Sequence, residues 1–316
     1  MKVLWVHNFI ERDKNSGVFM YDLYDSFNSD EIDLYGVPNL LNPINFLKTY
    51  LELRKKSKEY DIIHAQYGSA TGFLVALLGG KKILSLRGSD WYKTPSNSLK
   101  ENIHISLGNW LTRLSLRQFD RIIVMSERMQ KDISFSEAQL PISIIPDGIN
   151  LNEFYPKNTI DEPKKHRVLF STVDKTNILK RYYLAKEAVD ILKQQIDDVE
   201  IVQMTQIPHN EVNDYINNSD VIILTSTHEG WPNIIKEGLA ANIPFVATDV
   251  SDLKAIANKT NSCFVCEPKA SILAEALYKS LNSSREELRP LVQDMEMTNI
   301  NAQITKLYHQ IIMGEK

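Results

Sequence analysis

Residues 227 to 250, THEGWPNIIKEGLAANIPFVATDV, decide the fold of this chain. The stretch follows the apolar run at residues 221–225 and ends with a second apolar run at residues 245–248, and such runs are typical of strands buried on both faces of a parallel sheet. Pro232 suits the first position of a short helix between them, so the unbonded N–H groups of the helix start would lie at the carboxyl end of a strand. The stretch therefore predicts a strand–helix–strand unit of an α/β protein.

Two carboxylates flank the start of this helix. Glu229 follows the first strand, and Glu237 lies about one turn inside the helix. A helix N-terminus binds phosphate, and an ionised carboxylate can accept hydrogen bonds from two neighbouring hydroxyls such as those of a ribose. Acidic residues near a helix start can also do no more than complement the helix dipole. Because both carboxylates occur together with a Gly-Trp-Pro turn and a following strand, the pattern favours a nucleotide-sugar site.

The composition limits the classes of function. The chain has 316 residues, 43% of them hydrophobic, and a formal net charge of −4. This length is ample for two domains, and the charge gives no indication of nucleic acid as a partner. The N-terminus has no signal-peptide pattern, and no apolar run approaches the length of a transmembrane helix, so we expect a cytoplasmic protein.

The two cysteines, Cys263 and Cys266, lie on a predicted strand. A zinc site would need a second pair of ligands, which the sequence lacks, so we expect no metal. Their simplest role is packing in an intracellular protein.

Apolar runs alternate with helical patterns along the whole chain. Strands are predicted at residues 3–6, 32–37, 62–65, 83–86, 122–125, 142–145, 168–172, 199–204, 221–225, 245–247 and 263–265. The helices between them carry apolar residues at three- and four-residue spacing. This alternation predicts two Rossmann-like domains with doubly wound parallel sheets that face each other across a cleft. We expect an N-terminal domain at residues 1–158, a nucleotide-sugar domain at 159–298 and a C-terminal helix at 299–316 that packs back on the first domain.

At this point the sequence resembles the retaining glycosyltransferases of the group 1, or family 4, class, which have the GT-B fold. The resemblance covers most of the chain and is most specific from Glu229 to Glu237, eight positions apart, and in the following Pro244–Asp249 segment. Weaker matches are the turn at residues 145–156, the segment Leu86–Asp90, and Ser16-Gly17 at the start of the first helix.

The resemblance implies roles for several residues. Glu229 would lie beside the donor sugar, Glu237 would hold the ribose, and Lys175 and Lys180 would bind the donor diphosphate, with Arg181 as a competitor for that role. Alternatively, Lys180 and Arg181 could be no more than the solvated start of a helix. The implied donor contacts also include Gly17, Gly230, Trp231, Pro232, Asn233 and Ile234, and the acceptor or sugar side includes Ser16, Arg87 and Asp90. Arg87 stands where many relatives have His.

The implied activity is transfer of a hexosyl or related sugar from a nucleotide-diphosphate donor to a hydroxyl, with retention and without a metal or other cofactor. Fixed cations would stabilise the charge of the leaving group. We expect a carbohydrate or lipid-linked acceptor, in surface polysaccharide or glycolipid biosynthesis. The alternatives are a nucleotide-sugar epimerase, a phosphorylase, or a non-catalytic nucleotide-sugar-binding subunit, since fold does not fix function.

A weaker hypothesis is peripheral contact with the inner face of a membrane. Residues 46–58 and 110–117 mix apolar and basic side chains at helical spacing, as interfacial helices do. Core-facing helices with basic outer faces explain the same pattern.

Overall fold

The chain divides into two compact units in a computed structural model that describes residues 1–9, 17–27, 31–94, 96–157, 165–172, 174 and 176–314. Unit 1 comprises Met1–Gly148 together with Met297–Lys316, and unit 2 comprises Ile149–Glu296. The sequence-based boundary was placed at 158, in a polar stretch, whereas the chain leaves unit 1 at Gly148. The final helix belongs to unit 1.

Unit 1 is built on a parallel sheet of six strands in the order β2-β1-β3-β4-β5-β6. Its elements are β1 Val3–His7, α1 Val18–Ser26, β2 Ile32–Gly36, α2 Pro43–Lys56, β3 Ile62–Ala65, α3 Ser69–Ala76, β4 Lys81–Leu86, α4 Leu99–Ser115, β5 Arg121–Val124, α5 Glu127–Ser136 and β6 Ile142–Ile144. Short 3-10 turns at Ser57–Glu59 and Leu116–Gln118 follow α2 and α4.

Unit 2 is built on a parallel sheet of five strands, and its described elements again alternate. They are β7 His166–Ser171, α6 Tyr182–Leu192, β8 Val199–Met204, α7 His209–Asn217, β9 Val221–Leu224, α8 Asn233–Ala240, β10 Phe245–Thr248, α9 Leu253–Ala257, β11 Phe264–Cys266 and α10 Ala270–Leu281. The strand order is β11-β10-β9-β7-β8. A 3-10 helix at Arg289–Met295 precedes α11, Met297–Met313, which belongs to unit 1.

The strand runs predicted from the sequence are confirmed in both units. The interior strands β1, β3, β9 and β10 are buried throughout, as is typical of parallel strands that helices cover on both faces. Helix α4 begins at Leu99 because the hydroxyl of Ser98 accepts the N–H of Glu101 and so caps this start.

Helices α2 and α4 lie on the same face of the unit 1 sheet. Both join strands in the same direction along the order of the sheet, and crossovers of this kind are right-handed. Helix α1 steps in the opposite direction and packs with α11 on the other face. Within the described ranges no helix is both long enough and apolar enough to cross a bilayer.

Candidate active site

The connection between β9 and α8 carries the residues with the strongest sequence signal. Pro232 has an extended ψ of 116° and precedes the helix as its N-cap, so the first helical residue is Asn233. This corrects the predicted first helical position by one residue. The first N–H to return into the helix belongs to Ile235, which donates to the Pro232 carbonyl at 3.1 Å. The N–H groups of Asn233 and Ile234 therefore precede the intrahelical bonds, at the positive end of the helix dipole.

Glu229 and Lys180 form an ion pair at the carboxyl edge of the unit 2 sheet. The Lys180 ammonium lies 2.6 Å from a Glu229 carboxylate oxygen, and the Ser226 hydroxyl donates to the same oxygen at 2.6 Å. The side chains are 23% exposed for Lys180 and 14% for Glu229. Two predicted site residues that are 49 positions apart are thus in direct contact. Lysine is a compact point charge on a flexible stem, so a phosphate could take the place of the carboxylate.

Arg181 holds the pair in place through the backbone. Its Nε and Nη2 donate to the carbonyls of Thr225 and Ser226 at 2.5 and 2.9 Å, and the Thr225 hydroxyl donates back to the Lys180 carbonyl at 2.6 Å. Arg181 itself has φ 49° and ψ 51°, a left-handed conformation that persists in a non-glycine residue only where its surroundings fix it. Burial lowers the pKa of this guanidinium. This geometry favours a positioning role for Arg181, and its role as a competitor for the diphosphate stays a prediction.

The remaining residues of the α8 stretch pack closely together. Trp231 is buried, and Lys236, which is 1% exposed, has its ammonium 5.8 Å from the centre of the Trp231 ring. Glu237 is half-buried in the second turn of α8. Gly230 accepts the hydroxyl of Ser251 at 2.7 Å through its carbonyl. These contacts fix the backbone that leads into the helix.

Gly238 explains why α8 can lie directly on the sheet. A Cβ at this position would come within 2.1 Å of Cδ1 of Ile222 on β9, so either the Ile222 side chain or the helix would have to shift. His228 lies next to the ion pair, and burial together with the charge of Lys180 lowers its pKa while Glu229 raises it.

Two predicted site residues, Ser16 and Lys175, lie outside the described residues. Gly17, the neighbour of Ser16, caps α1 with a φ of 75°, and a Cβ there would come within 2.6 Å of the Phe9 ring. Glycine is therefore required at this turn by both its conformation and its space.

In unit 1, the carboxylate of Asp90 closes the loop that follows β4. It is fully buried and accepts the N–H groups of Arg87, Gly88 and Gly68 at 2.9, 3.0 and 2.9 Å. Burial raises its pKa, and the backbone donors oppose that rise. The carboxylate of Asp90 thus accepts three hydrogen bonds from backbone N–H groups and fixes the conformation of this loop.

Arg87 is also held by protein groups. Its guanidinium forms an ion pair with Asp147, donates to Oε1 of Gln66 at 2.9 Å and lies 4.7 Å from the centre of the Phe19 ring. Burial lowers the pKa of Arg87 to about 10. Arg87 and Asp90 thus both stabilise the loop that follows β4, and their place on the acceptor or sugar side stays a prediction.

Sequence reasoning missed the partners of these residues. Asp147 lies in the quoted turn after β6 but gave no chemical signal alone, and Gln66 and Ser226 are ordinary polar residues after strands. Their position at a strand end is the one signal that could have found them. His64, on β3, is buried, and its ring nitrogens contact the hydroxyls of Tyr308 and Ser85 at 2.7 and 2.8 Å.

Two cavities lie in separate units. One of about 330 Å³ in unit 1 lies at the carboxyl edge of the sheet, between the segment before α2 and helix α4, and is lined by Leu40, Leu41, Tyr67, Ala70, His104 and Leu111 among others. A larger polar cavity of about 580 Å³ in unit 2 includes His166 at the start of β7 and Pro244 just before β10. It is therefore at the edge of the sheet opposite to Glu229.

Both cysteines are free thiols, and burial raises the pKa of each. In the described part of the chain, no group of three or more His, Cys, Asp or Glu side chains is arranged to hold a metal ion.

Two α/β units, each built on a parallel sheet, are the architecture of the GT-B class of fold, which the solved structures similar to this chain share. The family model described as Glycosyltransferase Family 4 matches residues 21–153, and the one described as Glycosyl transferases group 1 matches residues 174–283. The chain belongs to the group 1 glycosyltransferases.

Individual relatives are distant. The chain is 23% identical over 243 residues to TuaC of Bacillus subtilis, a glycosyltransferase named for teichuronic acid biosynthesis; the match covers 69% of this chain and 60% of TuaC. It is 23% identical to an Escherichia coli UDP-Gal:alpha-D-GlcNAc-diphosphoundecaprenol alpha-1,3-galactosyltransferase, over 75% of this chain and 72% of that one. The solved structure of Anabaena HepE with UDP and glucose has a TM-score of 0.70 at 13% identity and covers 97% of this chain and 99% of its own.

Proposed function

We propose that this glycosyltransferase moves a sugar from a nucleotide-diphosphate donor to an acceptor hydroxyl with retention at the anomeric carbon. The observation that carries the proposal is the Lys180–Glu229 pair next to the N-terminus of α8. A phosphate is bound by a cation and by the N–H groups of a helix N-terminus. The hydroxyls of a sugar are bound by a carboxylate, which accepts their hydrogen bonds.

Donor binding would rearrange the pair. The diphosphate would accept hydrogen bonds from the Asn233 and Ile234 N–H groups and from Lys180, and Lys175 would add a second cation. Glu229, released from Lys180, would then accept hydroxyls of the donor sugar, while Glu237 would hold the ribose hydroxyls. Arg181 would keep Lys180 in position through the Thr225 and Ser226 carbonyls.

In the transfer itself, the bond between the anomeric carbon and the diphosphate oxygen breaks, and the acceptor oxygen bonds to the same face of that carbon. The departing phosphate oxygen takes the acceptor proton, so no separate general base is needed. Negative charge grows on the leaving group as the bond breaks, and fixed cations and N–H dipoles stabilise it most in the transition state. Because lysines supply this charge, we propose a reaction without a metal.

The acceptor is proposed to be a carbohydrate or a lipid-linked carbohydrate, used in surface polysaccharide or glycolipid synthesis at the cytoplasmic face of a membrane. The names of TuaC and of the Escherichia coli galactosyltransferase, which refer to teichuronic acid and to a diphosphoundecaprenol acceptor, support this class. The UDP and glucose in HepE make UDP the first nucleotide to test. We assign the acceptor side to unit 1, where the cavity of about 330 Å³ lies at the carboxyl edge of the sheet.

The test is thermal unfolding with UDP, GDP or ADP, for the wild type and a Glu237→Ala variant. A nucleotide at one hundred times its dissociation constant adds about 2.7 kcal/mol of stability, a shift of a few degrees. We expect one nucleotide class to stabilise the wild type and Glu237→Ala to lose that response. Glu187→Ala, on the exposed face of α6, is the matched control and should keep it.

Product analysis then tests the chemistry. With the stabilising nucleotide as its sugar conjugate and a panel of hydroxyl acceptors, NMR of the product gives the anomeric configuration. Retention supports the proposal, and an inverted product contradicts it. If no nucleotide raises the unfolding temperature, the assignment of a nucleotide-diphosphate donor is contradicted.

A further inference from the structure

The apolar stripe of α4 faces solvent. Leu99, Ile103, Leu107, Trp110 and Leu114 follow one another at spacings of three or four residues, which places them on one face of the helix, and they are 40 to 78% exposed. The buried residues of α4 are the polar ones, Asn109, Thr112 and Ser115. The helix is therefore inverted relative to an ordinary surface helix, whose apolar stripe packs on the core.

Buried hydrogen bonds fix this orientation. The Thr112 hydroxyl accepts the N–H of Ser69 at 2.7 Å, and the side-chain amide of Asn109 donates to the Trp91 carbonyl at 2.6 Å. Rotating α4 to bury its leucines would leave these groups without partners in an apolar environment, which costs free energy. The stripe is thus held outward by the fold.

Helix α2 presents a similar face on the same side of the sheet. Ile44, Leu47 and Leu51 are 56 to 78% exposed, and the helix buries Thr49 and Leu53 instead. The cavity of about 330 Å³ adjoins both helices, since Leu41 before α2 and Leu111 of α4 line it. We call the exposed residues of the two helices the α2–α4 surface.

The charge of this surface differs from that of the whole chain. Residues 43–58 contain Lys48, Arg54, Lys55, Lys56 and Lys58 against Glu52, and residues 99–117 contain Lys100, Arg113 and Arg117 against Glu101, although the chain has a net charge of −4. On the helical wheel of α2, Lys48 and Lys55 fall beside Ile44 and Leu51. Exposed leucines with a tryptophan and adjacent lysines form the pattern that binds the interface of an anionic bilayer.

We propose that the α2–α4 surface docks on an anionic lipid bilayer. The apolar side chains would enter the boundary between headgroups and acyl chains, and the lysines would contact the lipid phosphates. The biological purpose rests on the proposed transfer to a membrane-borne acceptor, but vesicle binding requires neither donor nor acceptor. A failure of this proposal is therefore distinguishable from a failure of the proposed function.

The test is flotation of the full chain with vesicles of phosphatidylglycerol and phosphatidylcholine, compared with phosphatidylcholine alone. We expect binding to the anionic vesicles only, with a loss in 1 M salt, where the screening length falls to about 3 Å. Ile103→Glu and Trp110→Glu should each lower the partition coefficient about tenfold or more, because each removes apolar burial and adds a charge. Lys48→Gln and Lys55→Gln should each lower it about fivefold.

Phe135→Glu is the matched control. Phe135 is 94% exposed on α5, outside the α2–α4 surface, so the same change in charge and hydropathy there should leave flotation unchanged. All variants should keep a cooperative thermal unfolding transition close to that of the wild type, which shows that they are folded.

Trp110 gives an independent readout. The other three of the chain's four tryptophans, Trp5, Trp91 and Trp231, are buried, so a blue shift of the emission on adding vesicles reports Trp110. Trp110→Phe should float normally without that shift. Three results would overturn the proposal: no flotation of the wild type; equal loss in Ile103→Glu and Phe135→Glu; or a dimer by light scattering that Trp110→Glu converts to a monomer without any vesicle binding, which would identify a second copy as the occupant.

Discussion

Each unit carries a cation–carboxylate pair in segments that follow its strands, but the two pairs are built differently. In unit 1 the Arg87–Asp147 pair has side chains that are 7 and 13% exposed, and the guanidinium also bonds Gln66 and stacks on Phe19. In unit 2 the Lys180–Glu229 pair joins a flexible ammonium to a carboxylate that also accepts Ser226. A rigid fork with several partners fixes a loop, whereas a single ammonium can exchange its carboxylate for a phosphate.

The largest effect should come from breaking the unit 1 pair. Arg87→Met leaves the carboxylate of Asp147 nearly buried without its cation, and removal of one partner of such a pair costs about 3–5 kcal/mol. Urea unfolding followed by tryptophan emission in a Trp231→Phe background, in which the buried tryptophans Trp5 and Trp91 report on unit 1, should show a lower midpoint.

Arg117→Met is the comparison for that experiment. Arg117 pairs with Glu137 at 3.6 Å in the same unit with its side chain 70% exposed, and such pairs contribute about 0–1 kcal/mol. Equal shifts of the urea midpoint for the two variants would show that the Arg87 pair contributes no more to the free energy of unfolding than an exposed pair does.

The unit 2 pair should matter for rate more than for folding. Lys180→Gln keeps a polar side chain, one atom shorter, but removes the charge that we assign to the leaving diphosphate, so kcat should fall about 10²–10³-fold. Lys186→Gln is the control, since Lys186 forms an exposed pair with Asp190 on the same helix, α6, and its kcat should equal that of the wild type. A Lys180→Gln enzyme with normal kcat would remove Lys180 from the chemistry.

The smallest effect concerns the pH dependence of unit 1. Burial, with a further contribution from Arg87, lowers the pKa of His64 to about 3, while an unfolded histidine titrates near 6.5. Between these values the unfolded chain binds a proton that the folded chain does not, so stability rises with pH there and the effect ends above about 6.5. The slope from one group is at most about 1.4 kcal/mol per pH unit.

His64→Gln should flatten that slope when unfolding free energies are compared between pH 4 and pH 6. His104→Gln, at an exposed position of α4, should keep the slope of the wild type. If both variants have the wild-type slope, the acid sensitivity of unit 1 comes from other groups.

Periodicity and turn chemistry predicted the strands because buried parallel strands have continuous apolar sequences. This signal does not depend on which elements pack around the strand. The stretch from Glu229 to Glu237 could also be predicted from the sequence, because its spacing fixes one helix and the N-terminus of that helix. The partners could not be predicted. Lys180 and Glu229 are brought together by the order of β7 and β9 in the sheet, which the sequence does not state.

The burial direction of α4 is the clearest limit of the sequence. A stripe of leucines at helical spacing is typical of a core-facing helix, and the alternative of an exposed stripe had equal support. The direction depends on Thr112 and Asn109, whose hydrogen bonds reach Ser69 and Trp91 in distant segments. Arg181 shows the same limit: its charge predicted a contact with phosphate, but its left-handed backbone turns the guanidinium to the carbonyls at the end of β9.

The last helix gives the chain an order of assembly during synthesis. The hydroxyl of Tyr308 in α11 accepts the indole N–H of Trp5 in β1 at 2.9 Å, across 303 positions of sequence. Unit 2 is continuous from Ile149 to Glu296, whereas unit 1 needs residues from both sides of it. As domains fold while the ribosome extends the chain, unit 2 can complete its core before unit 1 has received its final helix. Strand β1 is thus made before unit 2 but obtains all of its partners only after unit 2 has been made.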